Sequence, residues 1–354
     1  MKKTNVCILF GGISPEHAVS LRSAESVLNQ IDSEKYQVFP VGITREGKWL
    51  RYGGTDYSQL PGGAWERHPG NCPALISPVR GEGLLLFTDS GVVRQPLDVV
   101  FPVLHGENGE DGAMQGLLQM AGIPCVGPQV SASAVAMDKT LTKLVADRAG
   151  IVQAAWELVL RDEVGDAGVL DRLEARFPYP MFVKPAGTGS SVGVSKVRSR
   201  AELEKALTQA ARFDSNILVE EFIDGHEVEV AVLGNENPVA SICGEIDSGA
   251  EFYDYDAKYI TDTSTAYIPA RIPEDVAQKV REAAVRVYRA IGCQGLSRVD
   301  FFVTYADSRV VFNEINTLPG FTSISMYPKL MEASGVPYPQ LIDRLLALAQ
   351  EAAR

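Results

Sequence analysis

Glu314-Ile315-Asn316-Thr317-Leu318-Pro319-Gly320-Phe321-Thr322-Ser323, taken with Arg298-Val299-Asp300 upstream, decides the reading of this chain. A strand over 310–316 has a side-chain period of two, which puts Glu314 and Asn316 on one face. Asp300 lies in the apolar strand 297–304, joined to the first through a short turn at 305–308. Three hard oxygen donors, Asp300, Glu314 and Asn316, therefore converge. Such a set suits Mg²⁺, which takes one or two carboxylates and leaves its other positions to water and substrate phosphates. Phosphoryl chemistry is the first expectation. A polar sheet face with an incidental carboxylate pair is the plainer account of either acid alone.

Working outward, the 354 residues are 45% apolar and 22% charged, which allows two or three domains, each with its own core. The net charge of −12 argues against nucleic acid or an anionic membrane as partner, so any phosphate must be held by a few local cations. Lysines near glycines thereby become informative. Five scattered cysteines with no C-x-x-C suggest neither a zinc site nor a disulfide framework, and fit a reducing cytoplasm. The N-terminus runs directly into the apolar strand 6–10. No apolar run reaches the roughly 18 residues of a membrane span.

Apolar β-like runs alternate with helical patterns in the first third: a strand at 5–10, a helix at 14–30, strands at 36–43 and 99–104, and a helix at 114–121. That alternation is the mark of an α/β domain on an open parallel sheet. The Gly- and Pro-rich stretch 52–83 reads as a surface excursion within it. A break at Val126-Gly127-Pro128 and a helix over 131–149 open a second region, 129–216, with a strand at 179–184 and a helix at 200–213. The third region, 217–354, holds strands at 217–220 and 227–233 and the hairpin above. The expected division is thus 1–128, 129–216 and 217–354.

Three loops carry chemistry. Phe10-Gly11-Gly12-Ile13-Ser14-Pro15-Glu16-His17 joins the first strand to the first helix, with Ser14 as N-cap, Pro15 at N1 and Glu16 at the positive helix end. It lacks the G-x-G-x-x-G spacing of a dinucleotide turn. His105-Gly106-Glu107-Asn108-Gly109-Glu110-Asp111-Gly112 follows the strand 99–104 and faces the same crevice; His105 and Glu110 read either as acid and base or as satisfied turn residues. In Lys184-Pro185-Ala186-Gly187-Thr188-Gly189-Ser190-Ser191-Val192-Gly193, small residues rich in amide and hydroxyl donors can close over anionic oxygens. The lysine precedes the glycines here, the reverse of a Walker A loop. Glu220-Glu221-Phe222-Ile223, at the end of another strand, can supply backbone hydrogen bonds and apolar cover to an adenine.

These pieces, in this order, resemble the D-alanine:D-alanine ligases of the ATP-grasp superfamily, and the resemblance spans nearly the whole chain. It rests on Phe10-Gly11-Gly12 with Glu16 and Val19-Ser20-Leu21, and on His105-Gly106 with Gly109 to Gly112. Met137-Asp138-Lys139 and Lys184-Pro185 with Gly189 to Gly193 add to it, as do Phe252-Tyr253-Asp254-Tyr255 with Lys258-Tyr259 and Arg298-Val299-Asp300 with residues 314–325. The resemblance implies an N-terminal α/β domain followed by a two-lobed ATP-grasp fold whose antiparallel sheets grip ATP. It implies that Lys139, Lys184 and Lys258 contact ATP phosphates and that Ser190 and Ser191 form the phosphate loop. Glu220, Glu221, Phe222, Ile223 and Glu227 would hold adenine and ribose, with Asn313 beside them. Asp300, Glu314 and Asn316 would bind two Mg²⁺, with Mn²⁺ able to substitute. Glu16 would take the ammonium of the first D-alanine, Ser325 the carboxylate of the second, and Arg298 with the Gly320 amide the oxyanion. Tyr259, in a lid over 248–267, would bond to Ser190 and Glu16.

The implied activity is ATP-dependent ligation of two D-alanines through an acyl phosphate, for peptidoglycan synthesis, in a cytoplasmic homodimer. Ala18 departs from the glutamate common among relatives, at the first subsite. No histidine follows His226, whereas ligases accepting D-lactate carry one in the lid. D-serine as second substrate stays open, although Met326 stands where resistance ligases often show arginine. A nucleotide-binding regulator without turnover, and a dehydrogenase on the first domain, are the remaining readings.

Overall fold

The run Val6-Cys7-Ile8-Leu9-Phe10 has no polar alternation, and a strand apolar on both faces must be covered on both. In the computed structural model, which describes residues 3–247 and 265–353, it is the strand Thr4–Gly11, wholly buried over Val6 to Phe10. It lies between two parallel neighbours, Tyr36–Ile43 and Val99–Val103. Beyond Tyr36–Ile43 the sheet continues antiparallel through Trp49–Arg51, Cys72–Ile76, Leu84–Thr88 and Gly91–Gln95, seven strands in all. The expected parallel sheet is therefore its centre, with an antiparallel extension.

That extension corrects the reading of 52–83 as a surface excursion. The strand Cys72–Ile76 is part of the sheet, and Tyr52 and Trp65 are fully buried, Trp65 edge-on to Phe10 at 5.0 Å between ring centres. The segment buries Tyr52, Leu60 and Trp65 singly and Ala74 and Ile76 in one short strand, too few and too scattered to show a period over 52–83.

A second sheet is antiparallel, in the order Ser195–Val197, Met181–Pro185, Asn216–Glu221, Trp156–Leu160. The helices Ala167–Arg176 and Arg200–Ala210 cover it, closing a core of Val159, Leu173, Val183, Leu203 and Val219. The division expected at 216 would part the strand Asn216–Glu221 from the sheet it bonds into; its pairing places it with the second region. The third sheet runs Thr265–Tyr267, Gly244–Asp247, Gly225–Leu233, Leu296–Thr304, Val310–Asn316, with Val239–Ala240 paired on one side. The helix Glu274–Ile291 packs against it through Val276, Val280, Ala284 and Val287.

The helix expected over 131–149 is two, Val130–Met137 and Lys139–Arg148. Asp138 between them is extended, and its carboxylate accepts the amides of Thr140 and Leu141. An N-cap of this kind ends one helix and starts the next. Both helices pack through Ala132 and Ala146 into the core of the third sheet, not the second. The C-terminal helix Tyr338–Ala352 likewise returns to the first domain, where Leu341, Ile342 and Leu345 share a core with Val6, Ile8 and Phe101, while Met326–Ala333 packs on the strand Gly225–Leu233.

Candidate active site

Between the three sheets lies a cleft of about 1480 Å³. Its floor is set by strand register. Glu229, Asp300 and Glu314 stand opposite one another on three adjacent strands, and Arg298 stands opposite Asn316. Arg298 donates to both oxygens of Asp300, Nε to Oδ1 at 2.8 Å and Nη2 to Oδ2 at 2.7 Å, and its Nε lies 3.2 Å from Glu229. Asn316 donates its amide to Asp300 Oδ2 at 3.0 Å. Burial works against the Arg298 charge, but Asp300 and Glu229 outweigh it and raise the pKa well above the usual value. The carboxylate row exceeds its single guanidinium in charge, and its hard oxygens suit a divalent cation. Among the described residues no three His, Cys, Asp or Glu side chains gather as a metal cluster.

The glycine-rich loop follows the strand Met181–Pro185. Ser190 and Ser191 both have positive φ, 49° and 59°, a left-handed conformation that side chains avoid, at a cost of about 1–3 kcal/mol each. Such backbone turns amides inward as an anion nest. Lys139 ties the loop down, its Nζ donating to Thr188 O at 2.5 Å and its amide to Ala186 O. Ser190 Oγ donates to Glu16 Oε1 at 2.5 Å, joining the loop to the first domain across the cleft.

Behind the loop, Glu220 is buried between two lysines. Lys143 Nζ lies 2.5 Å from Oε1 and Lys184 Nζ 2.6 Å from Oε2. Burial would raise the Glu220 pKa, yet the two ammonium groups hold it down to about 2. Its carboxylate is thus committed to lysines, and the strand ends just beyond it at Glu221. There Glu221 accepts the Ala155 amide at 2.8 Å, Phe222 leans on Phe182, Lys196 lies 4.0 Å over the Phe222 ring, and Ile223 packs on Ala154 and Val311.

On the opposite wall the first helix begins at His17, with Glu16 as its cap residue. The expectation of Ser14 as N-cap is corrected: Ser14 Oγ accepts the Glu16 amide and donates to His105 O, a turn that precedes the helix. Gly106 has φ +71°, and a Cβ there would meet Glu16 Oε2 at 2.5 Å, so only glycine lets that carboxylate lie against the loop. His105 is buried. Its Nδ1 bonds to Leu318 O at 3.0 Å and so must carry the proton, leaving Nε2 to accept from Ser23 Oγ at 3.2 Å. Burial lowers the His105 pKa. Ser23 in turn accepts the Phe321 amide at 3.1 Å, and Glu110 accepts the amides of Gly106 and Leu318. Burial, then the nearby Glu16, push Glu110 up to about 8. His105 and Glu110 therefore hold the loop 318–321 by its backbone. At its end Ser325 Oγ accepts the Thr322 amide, and a Cβ on Gly320 would come within 2.7 Å of it.

Glu16, Lys139, Lys184, Ser190, Ser191, Glu220, Glu221, Phe222, Ile223, Glu227, Arg298, Asp300, Asn313, Glu314, Asn316, Gly320 and Ser325 all line this one cleft. Lys258, Tyr259 and most of the expected lid lie outside the described residues. Two charged groups escaped the sequence reading. Glu229 was legible in the alternation Glu227-Val228-Glu229-Val230; Lys143 was legible only as the fourth residue after Lys139 on a helix, one turn along the same face.

Residues 5–128 match the family model "D-ala D-ala ligase N-terminus" and residues 145–347 match "D-ala D-ala ligase C-terminus". A D-alanine--D-alanine ligase of Acetivibrio thermocellus is 50% identical, over 98% of this chain and 96% of that protein. Among solved structures, the VanG D-Ala:D-Ser ligase of Enterococcus faecalis aligns with a TM-score of 0.90 at 39% identity, over 98% of this chain and all of that one. The D-alanine-D-alanine ligase of Coxiella burnetii aligns with a TM-score of 0.86 at 36% identity, over 100% of this chain and 95% of that one. With an N-terminal mixed sheet, two antiparallel lobes and a single cleft between them, the chain belongs to the D-alanine–D-alanine ligase family, ATP-dependent ligases of the ATP-grasp fold.

Proposed function

We infer that this protein joins two D-alanine molecules to D-alanyl-D-alanine at the expense of ATP, through an acyl phosphate, for peptidoglycan synthesis. The observation that carries this reading is the hydrogen bond from Ser190 to Glu16. It brings an amino-acid-binding carboxylate of one domain against the phosphate loop of another, where a substrate carboxylate and a terminal phosphate would meet.

A carboxylate is a poor electrophile, so a carboxylate oxygen of the first D-alanine attacks the γ-phosphorus of ATP, the bond from that phosphorus to the β–γ bridging oxygen breaks, ADP leaves, and the D-alanine becomes an acyl phosphate. Lys139 and Lys184 offset charge on the transferring group, and the nest at Ser190 and Ser191 orients it. Glu16 holds the ammonium of the first D-alanine. The amine of the second D-alanine then attacks the acyl carbon, with its carboxylate against Ser325. Arg298 and the Gly320 amide stabilise the tetrahedral oxyanion before phosphate leaves. His105, Ser23 and Glu110 hold that amide in place through residues 318 and 321. Asp300, Glu314 and Asn316 would hold two Mg²⁺, or Mn²⁺, which supply charge neutralisation at the phosphates. By the family resemblance Tyr259 and Lys258, both outside the described residues, would complete the set. Phe222 and Ile223 would take the adenine and Glu227 the ribose, with Asn313 in the lining of the same cleft.

We assign the protein to the cytoplasm as a homodimer; no helix of the described residues is long and apolar enough to cross a membrane. The test is ADP release from Mg²⁺-ATP with D-alanine alone, then with equimolar D-serine or D-lactate, the products identified by mass. Predominant D-Ala-D-Ala in every mixture is expected. Predominant D-Ala-D-Ser would move the chain beside VanG, and no ADP above background with any of these substrates would overturn the enzymatic reading.

A further inference from the structure

Lys139 and Lys143 sit one turn apart on the helix Lys139–Arg148, so both side chains leave it on the same side. Their destinations differ. Lys139 reaches the phosphate loop at Thr188, whereas Lys143, with a side chain only 2% exposed, ends behind Glu220. Glu220 occupies an interior strand of the second sheet, and each of its oxygens faces one lysine. Lys184 takes the other oxygen from the cleft side, where its side chain is 16% exposed.

The charges of this triad decide what the cleft presents to a polyphosphate. Two ammonium groups and one carboxylate leave a net +1. Remove Lys143, and Glu220 and Lys184 form a neutral pair that adds no surplus charge to that of Lys139 where the phosphates must lie. Glu220 already lies 2.6 Å from Lys184, and without Lys143 its whole buried charge would be set against that one ammonium. We propose that Lys143 is a positioning residue for nucleotide binding: by neutralising Glu220 from behind, it leaves the Lys184 ammonium available to phosphate. Lys143 touches no substrate. This inference rests on the nucleotide-binding reading of the cleft and assigns a role within it.

The experiment compares binding of ATP with binding of adenosine, which shares the purine and ribose but carries no phosphate. In Lys143→Met, ATP should weaken at least about tenfold, the loss of one charge-assisted contact, while adenosine changes less than about threefold. Lys143→Arg keeps the charge and should stay near the wild-type ratio. The double variant Lys143→Met with Glu220→Gln removes both the buried acid and its rear partner. It should keep most of the ATP preference of Glu220→Gln alone, and because it buries no unpaired charge it tests the idea even where the single variant does not fold. An unchanged ratio in Lys143→Met, or a double variant that loses the ATP preference of Glu220→Gln, would show that Lys143 does not act by neutralising Glu220. A wild-type protein that binds adenosine and ATP equally would instead sink the nucleotide reading of the cleft, and this inference with it.

Discussion

Arg298 holds Asp300 by both oxygens and lies beside Glu229, so its guanidinium is fixed by the same acids that would hold a cation. A donor fixed before the reaction costs nothing to orient during it. Arg298→Met should lower turnover by roughly 10²- to 10³-fold, measured as kcat for dipeptide formation; an unchanged kcat would remove Arg298 from the chemistry. Glu110 predicts a pH effect. Its pKa is raised by burial and then by Glu16, so the folded chain keeps a proton that the unfolded chain releases. The stability due to Glu110 is whole below the ordinary carboxylate pKa and is lost as pH rises toward about 8. Thermal unfolding midpoints of the wild type and Glu110→Leu should therefore shift in favour of the variant across that window. Parallel curves would show that Glu110 does not titrate there. At this scale the sequence shows the cleft residues well, because each sits next to a glycine, a strand end or another acid. It does not show that Glu220 faces two lysines, since one of them comes from a helix more than seventy residues upstream.

The break at Asp138 shows how one residue governs an element. The apolar pattern from 131 to 149 is nearly continuous, and only the carboxylate bonded to the amides of Thr140 and Leu141 reveals two helices. The second helix carries both Lys139 and Lys143. Asp138→Ala should cost about 1 kcal/mol of stability in urea denaturation, and it should weaken ATP binding as the lysine-bearing turn frays; a variant as stable as the wild type would leave Asp138 without a capping role. Strands were easier to place than their partners. The runs 5–10, 36–43 and 310–316 are apolar or alternating enough to stand out. The antiparallel extension over 72–95 is hidden by Gly and Pro and by burial confined to a few residues, Ala74, Ile76 and Leu84.

Across the whole molecule, chain order and spatial order part company. Helices at 130–148 join the core of the third sheet, and the helix Tyr338–Ala352 joins the first. A linear reading places boundaries where composition changes and has no means of seeing a segment return over hundreds of residues. Leu345 is fully buried in that shared core. Leu345→Ala should destabilise the protein by about 2–5 kcal/mol, and the loss should be felt at the N-terminal sheet. Hydrogen exchange at the strand Thr4–Gly11 checks this: slow exchange unaffected by the substitution would show that the first domain stands without the last helix.

The same return sets an order of events during synthesis. The strands Thr4–Gly11, Tyr36–Ile43 and Val99–Val103 are translated well before the helix Tyr338–Ala352 that covers one flank of them. Through most of translation the nascent first domain must carry an apolar face open to solvent, the condition in which chaperones bind and neighbouring chains aggregate.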